Sequence, residues 1–236
     1  MKKNIVLAAI FSVFTFAINA QNAVGGRLGA TWNNAVSRDL NGTLDFTNMS
    51  SFSVGAFYEL GIDNNFFVQP EINFTEKGFR VEEGTNVNLF GVNLPIGASA
   101  VTVVRYLDMP VLAKYKFGNT EGVRAYVAAG PSLGYAMNGT LQTRARLLVD
   151  VKIADTPIDL TSTNYNRFEL GGVVGAGVEI PVSFGKIQLD GRYTRSLMDV
   201  YELPVVGSRI RNQGFGFSVG FSIDLGTSSI KNRKRA

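Results

Sequence analysis

The chain is 236 residues long, with 26 glycines and neither cysteine nor histidine. Those two absences exclude disulfide stapling, thiolate metal sites and the usual histidine base or ligand. The formal charge of +4 sits at the ends, since removing Lys2, Lys3, Lys231, Arg233, Lys234 and Arg235 leaves −2; the basic balance therefore marks no nucleic-acid-binding face.

Residues 1–20 read as a cleaved signal peptide. Lys2 and Lys3 precede the uncharged apolar run Ile5 to Ile18, and a small residue, Ala20, stands before the expected cut. The run is too short and too poorly flanked for a spanning helix. Residues 21–226 are expected to form one barrel domain, and 227–236 a basic periplasmic tail.

Period-two alternation then recurs eight times, the signature of strands with two different faces. Ala23 to Trp32 is the first strand and Ser51 to Gly61 the second. The third sets Phe67, Gln69, Glu71, Asn73, Thr75 and Lys77 against Phe66, Val68, Pro70, Ile72 and Phe74. Val104 to Phe117 and Val123 to Met137 follow, then Arg167 to Ile180. The seventh opposes Lys186, Gln188, Asp190 and Arg192 to Ile187, Leu189, Gly191 and Tyr193. The eighth, Gly214 to Leu225, is the cleanest, with Phe215, Phe217, Val219, Phe221, Ile223 and Leu225 on one side.

Connections alternate in length. Ile62–Asn65, Gly118–Gly122 and Pro181–Gly185 are tight; Asn33–Ser50, Val81–Val103, Asn138–Asn164 and Asp199–Gln213 are long. Outer-membrane barrels pair short periplasmic turns with long outer loops in this way. The expected fold is all-β, an eight-stranded antiparallel up-and-down transmembrane β-barrel in the cell outer membrane.

Sidedness follows from glycine and from aromatic placement. Gly130, Gly134, Gly171, Gly175, Gly177, Gly214, Gly216 and Gly220 share the polar face, where a water-exposed strand has no use for them. In a narrow lumen they make room for long charged side chains. Trp32, Tyr58, Phe66, Phe117, Tyr135 and Phe168 lie near strand ends on the apolar face, suiting the two membrane interfaces. Pro70, Pro110 and Pro131 fall inside strands, so bulges are expected there. Arg195, on lipid-facing parity, belongs near the outer rim, where its head reaches water.

The inward face predicts a lumen charge network of Arg27, Glu59, Glu71, Asp108, Lys114, Arg124, Glu169, Glu179, Asp190, Arg192 and Asp224. Two readings attach to it: a solute path lined by both signs, or a lumen plugged by paired charges. The second is favoured, because unpaired buried charges are costly and eight strands leave little space. Among the loops, Thr143–Ile153 alternates enough to project as a hairpin, and two readings attach to the uncharged stretch Asn86–Val104: an extended edge that adds a strand to a protein partner, or an ordinary surface loop, the second being favoured. Asn-Gly-Thr at Asn41 and Asn138 carries little meaning in a bacterial chain, and Gly171–Gly177 opens no helix and is no phosphate loop.

Several segments resemble the PorT-like outer-membrane β-barrel family of Bacteroidetes: FVQPEINFTEKGF (Phe67–Phe79), YLDMPVLAKYKF (Tyr106–Phe117), YVAAGPSLGY (Tyr126–Tyr135), GAGVEI (Gly175–Ile180) and LDGRYTRSLMDV (Leu189–Val200). They occur in the family's order. The resemblance implies the barrel and a tolerance of its three prolines; it implies a secretion- or envelope-related role less specifically, since the family holds many members without an assigned one. The last strand departs from the usual aromatic end, stopping at Leu225.

Barrel enzymes of this size resemble one another in relying on histidine, so no enzyme, cofactor or metal is expected. The leading expectation is a non-enzymatic structural or interaction barrel, in contact with outer-membrane lipid and with a protein partner through its outer loops. A narrow porin-like channel is the alternative. A soluble periplasmic lipocalin-like carrier is the second alternative.

Overall fold

A computed structural model of the chain describes residues 22–37, 46–81, 88–89, 92–93, 98–146, 150–158, 160, 165–199, 201–202 and 209–225. The expected signal segment, the basic tail and Asn41 lie outside these residues. Eight long strands form the wall: β1 (Ala23–Ser37), β2 (Met49–Gly61), β3 (Phe66–Val81), β4 (Ala98–Lys116), β5 (Arg124–Arg146), β6 (Phe168–Val182), β7 (Gly185–Ser196) and β8 (Arg209–Asp224). Each pairs antiparallel with its neighbour in sequence, and β1 pairs with β8 from Ala23↔Asp224 to Ser37↔Ile210. That last ladder closes the barrel, so the wall has no free edge.

The registers fix the barrel's stagger. One row of partners runs Lys116, Tyr126, Gly177, Asp190, Ser218, Gly29, Ser53, Thr75 and back to β4 at Tyr106. The row returns ten residues from its start, which is the shear number. For eight strands, that shear corresponds to a strand tilt of roughly 40° and an interior just wide enough for side chains.

The pleat sorts side chains as a membrane barrel requires. Leu28, Phe52, Val54, Phe74, Phe217 and Val219 point outward and are exposed, whereas Glu59, Lys114, Lys116, Gln69 and Gln188 are at most 1% exposed. The reverse arrangement, with apolar rows meeting across a cavity and charges in water, is that of a lipocalin-like carrier, and this chain does not adopt it. Rings pair on the outer surface near both ends: Tyr135 with Phe168 at 5.1 Å, Trp32 with Phe217 at 6.1 Å and Tyr115 with Phe117 at 4.9 Å.

The prolines behave differently from the expectation. Register is constant across Pro70, Pro110 and Pro131, with Pro70↔Val111, Pro110↔Ser132 and Gly172↔Pro131 in phase with the pairs on either side. The wall accommodates the missing N–H groups by local gaps in the ladder, as between Pro70↔Val111 and Asn73↔Asp108. Register shifts fall instead between Arg105 and Tyr106 in β4–β5, and at Thr143/Arg144 where β5 meets the short strand Asp150–Ile158.

That short strand extends β5 into a hairpin beyond the wall, in the region where Thr143–Ile153 was expected to project. The Asn86–Val104 stretch does not supply an open edge along its length. Its Ala98–Val104 part belongs to β4 and is paired on both sides, to β3 (Arg80↔Val101) and to β5 (Ala98↔Ala145), while Asn88–Leu89 folds back on Val92–Asn93.

At the opposite end the turns are tight. In the β2–β3 turn, Asp63 Oδ1 accepts from the backbone N–H groups of Asn65 and Phe66, each at 2.7 Å. These two donors hold the Asp63 carboxyl below the usual carboxylate value. In the β4–β5 turn, Gly118 takes φ 94°, a left-handed conformation that glycine adopts without Cβ strain.

Candidate functional site: the charged lumen

Charged side chains from six strands meet in the lumen in three tiers. In the tier nearest the tight turns, Lys114 Nζ lies 2.9 Å from Glu59 Oε2, and Lys116 Nζ lies 2.5 Å from Glu59 Oε1 and 2.7 Å from Glu179 Oε2. Gln188 Nε2 donates to the same Glu179 oxygen at 3.3 Å. Two ammonium groups and two carboxylates cancel. Each ammonium also rests on a ring, Lys114 4.0 Å from the Tyr126 centroid and Lys116 4.1 Å from that of Phe67; such contacts add most where water is excluded.

The middle tier is a closed four-member square. Arg27 Nη1 reaches both Glu71 oxygens at 3.0 Å, and its Nη2 pairs with Asp190. Arg192 completes the square, with Nη1 2.8 Å from Glu71 Oε2 and Nε 2.9 Å from Asp190 Oδ1. Asn73 donates to Glu71 at 2.9 Å, while Ser218 and Tyr126 donate to Asp190 at 2.9 Å each. The guanidinium forks suit this site because each spans two acceptors at once.

The third tier lies toward the long loops. Lys77 Nζ sits 2.9 Å from Asp108 and 3.1 Å from Glu169, whose other oxygen accepts from Asn212 at 2.7 Å. Lys77 also lies 4.5 Å from the centroid of Tyr106, whose hydroxyl meets that of Tyr165 at 2.5 Å.

Glycine shapes this interior. A Cβ on Gly177 would stand 2.6 Å from the Tyr126 ring, in the path of the hydroxyl that reaches Asp190. Of the eleven charged residues expected in the lumen, nine enter the tiers: Arg27, Glu59, Glu71, Asp108, Lys114, Glu169, Glu179, Asp190 and Arg192. Arg124 stands below them, donating from Nη2 to the backbone carbonyls of Asn64 at 2.7 Å and Lys116 at 3.2 Å. Asp224 lies at the exposed rim and pairs with Lys186 at 2.7 Å. Sequence reasoning missed Lys77 and Lys116 as members, although both share the inward parity of their strands. Among the described residues, no three acidic side chains converge as metal ligands.

Comparison with known proteins bears on this closed, charge-filled barrel. A family model described as an outer membrane protein beta-barrel domain matches residues 19–202. The chain belongs to that family. It is an integral outer-membrane barrel, located in the outer membrane, with strand count and closure as described above. Solved outer-membrane barrels are similar to the chain at low identity. OprG of Pseudomonas aeruginosa is 11% identical, with 86% of this chain and 96% of that one covered at a TM-score of 0.51. Neisserial surface protein A is 14% identical, with coverage of 86% and 99% and a TM-score of 0.46. Ail of Yersinia pestis is also 14% identical over 86% and 99%, with a TM-score of 0.43. No curated protein sequence matches the chain.

Proposed function

We propose that this outer-membrane barrel is a non-enzymatic structural and interaction protein whose lumen conducts no solute and whose outer loops contact another protein. The observation that carries the reading is the tier structure. The middle square bridges the lumen from β1 and β3 to β7, and the lower tier fills the space between it and the tight turns. Opening a path requires separating these charges at several kcal/mol apiece. The cavity on the loop side of the square, bordered by Thr31, Asn73, Lys77, Asp108 and Thr194, measures about 100 Å³. That space lies below the roughly 300–1,000 Å³ of pockets that enclose drug-sized ligands.

The segments shared with PorT-like barrels of Bacteroidetes support a secretion- or envelope-related setting for that interaction. The hairpin of β5 with Asp150–Ile158 supports the outer loops as the contact surface. The absence of histidine supports a non-catalytic role, since no Ser-His or Asp-His pair exists.

Planar-bilayer recording on the refolded chain tests the closed lumen. The expected trace has no stepwise currents at neutral pH. Discrete single-channel steps from the wild-type barrel would favour the narrow porin-like alternative.

A further inference from the structure

The outer wall carries a feature that a uniform lipid-facing surface lacks. A groove of about 1210 Å³ runs obliquely across the outward faces of β1, β2, β3, β6, β7 and β8. Its sides are apolar, including Leu28, Phe52, Phe74 and Phe217, and Ala30, Ala176 and Gly191 keep it open. One end is not apolar. Glu76 lines it, and Glu76 Oε1 accepts from Arg105 Nε at 3.1 Å.

Arg105 stands at headgroup depth. Two residues further into the wall, Leu107 pairs with Tyr135, whose ring packs against Phe168 at the aromatic belt. Arg167 lies on the other side of Tyr135, its guanidinium 4.9 Å from the ring centroid. The Arg105 side chain is 46% exposed, and only its Nε has a partner among the described residues. The two Nη groups, without a partner among the described residues, form a fork of the geometry that phosphate oxygens match.

We propose that this groove holds one acyl lipid with a phosphate head, its chain along the apolar floor and its phosphate on the Arg105 fork. The occupant is amphipathic because the site is: an apolar groove ends at Glu76, which holds Arg105. Glu76 positions the guanidinium through Nε and leaves the fork free.

Native mass spectrometry of the full-length barrel in non-ionic detergent tests this with dimyristoyl phosphatidic acid. Dimyristoyl glycerol, which has the same chains and no phosphate, serves as the control, and inorganic phosphate as the head alone. One phosphatidic acid is expected to remain bound per barrel, with the diacylglycerol retained about tenfold less, the value of one lost charge-assisted contact pair. Arg105→Gln should weaken phosphatidic acid to a similar extent. Ala30→Trp, which fills the groove, should abolish retention while leaving heat-modifiable gel mobility intact; Ala176→Leu replaces it if that variant does not fold. Equal retention of both lipids, unchanged retention in Arg105→Gln and the groove-filling variant, or displacement of the lipid by millimolar inorganic phosphate would overturn the proposal.

Discussion

Lys114 donates to the side-chain oxygen of Gln69 at 3.1 Å, and this contact joins two ion-pair tiers that share no charged residue. The Gln69 nitrogen passes the connection on to Glu71 at 2.6 Å. Tyr126 makes a second tie, lying beneath Lys114 and donating to Asp190. The two lower tiers are thus one network, and the charges cancel within each of them.

Cutting the Gln69 tie leaves a buried donor and acceptor short of a partner. Gln69→Leu is expected to destabilise the barrel by about 1–3 kcal/mol, measured as a lower urea midpoint for unfolding from micelles. Double-mutant cycles with Glu71 and Lys114 should show coupling on both sides.

Glu71 is the most exacting single position, because it accepts from both Arg27 and Arg192 with no side-chain exposure. Glu71→Ala leaves two guanidinium groups in the lumen against Asp190 alone, and should cost about 3–5 kcal/mol. The partly exposed pair Arg211–Asp199, 2.6 Å apart at the rim, provides the comparison. Asp199→Ala should cost less than about 1 kcal/mol in the same unfolding assay.

The polar-face glycines predict an overpacking series. At Gly134 an added Cβ would lie 2.6 Å from Asp108 Oδ1 and 3.3 Å from the Tyr106 ring. Gly134→Ala should therefore displace the Asp108 carboxylate from Lys77 and cost about 1–3 kcal/mol. Gly172 on the outward face, with open space around its Cβ position, should accept alanine with little change. Heat-modifiable gel mobility as a function of temperature distinguishes the two.

Asp63 makes the periplasmic β2–β3 turn pH-dependent. Its folded pKa is depressed by the Asn65 and Phe66 N–H groups, so the charged form is favoured by folding. The contribution is present above the unfolded carboxylate pKa of about 3.9 and is lost as pH falls through the lower folded value. The stability difference between wild type and Asp63→Asn should accordingly be constant at neutral pH and shrink below about pH 4. A difference that persists unchanged at pH 2 would contradict this.

The wall was legible where both faces are constrained. The Phe/Val rows of β8 and the Gln/Glu/Asn rows of β3 alternate because one side meets hydrocarbon and the other a crowded lumen. At the loop-side ends that demand lapses, and the readings stopped short. β4 begins at Ala98 rather than Val104, and β5 runs to Arg146 rather than Met137. Beyond the bilayer a strand needs partners but no apolar row, so the alternation fades before the pairing does.

The bulge was misplaced for a related reason. Proline signals a missing donor, but the chain tolerates it by leaving ladder gaps and shifts register at Arg105/Tyr106, where no residue type announces it. In the lumen, parity identified the charges, yet Lys116 was passed over so near a strand end, and Lys77 was read as polar-face without being assigned a partner. The neutral connectors Gln69 and Tyr126 were not distinguishable from other inward side chains, because their role depends on which strands the shear brings level.

The single tryptophan supplies the most direct test of sidedness. Trp32 is 42% exposed on the outward face, edge-on to Phe217. In vesicles of brominated-acyl-chain phosphatidylcholine its emission is predicted to be strongly quenched and blue-shifted, with little response to aqueous iodide. Emission that iodide quenches and brominated chains leave untouched would mean that the aromatic rows do not meet the bilayer.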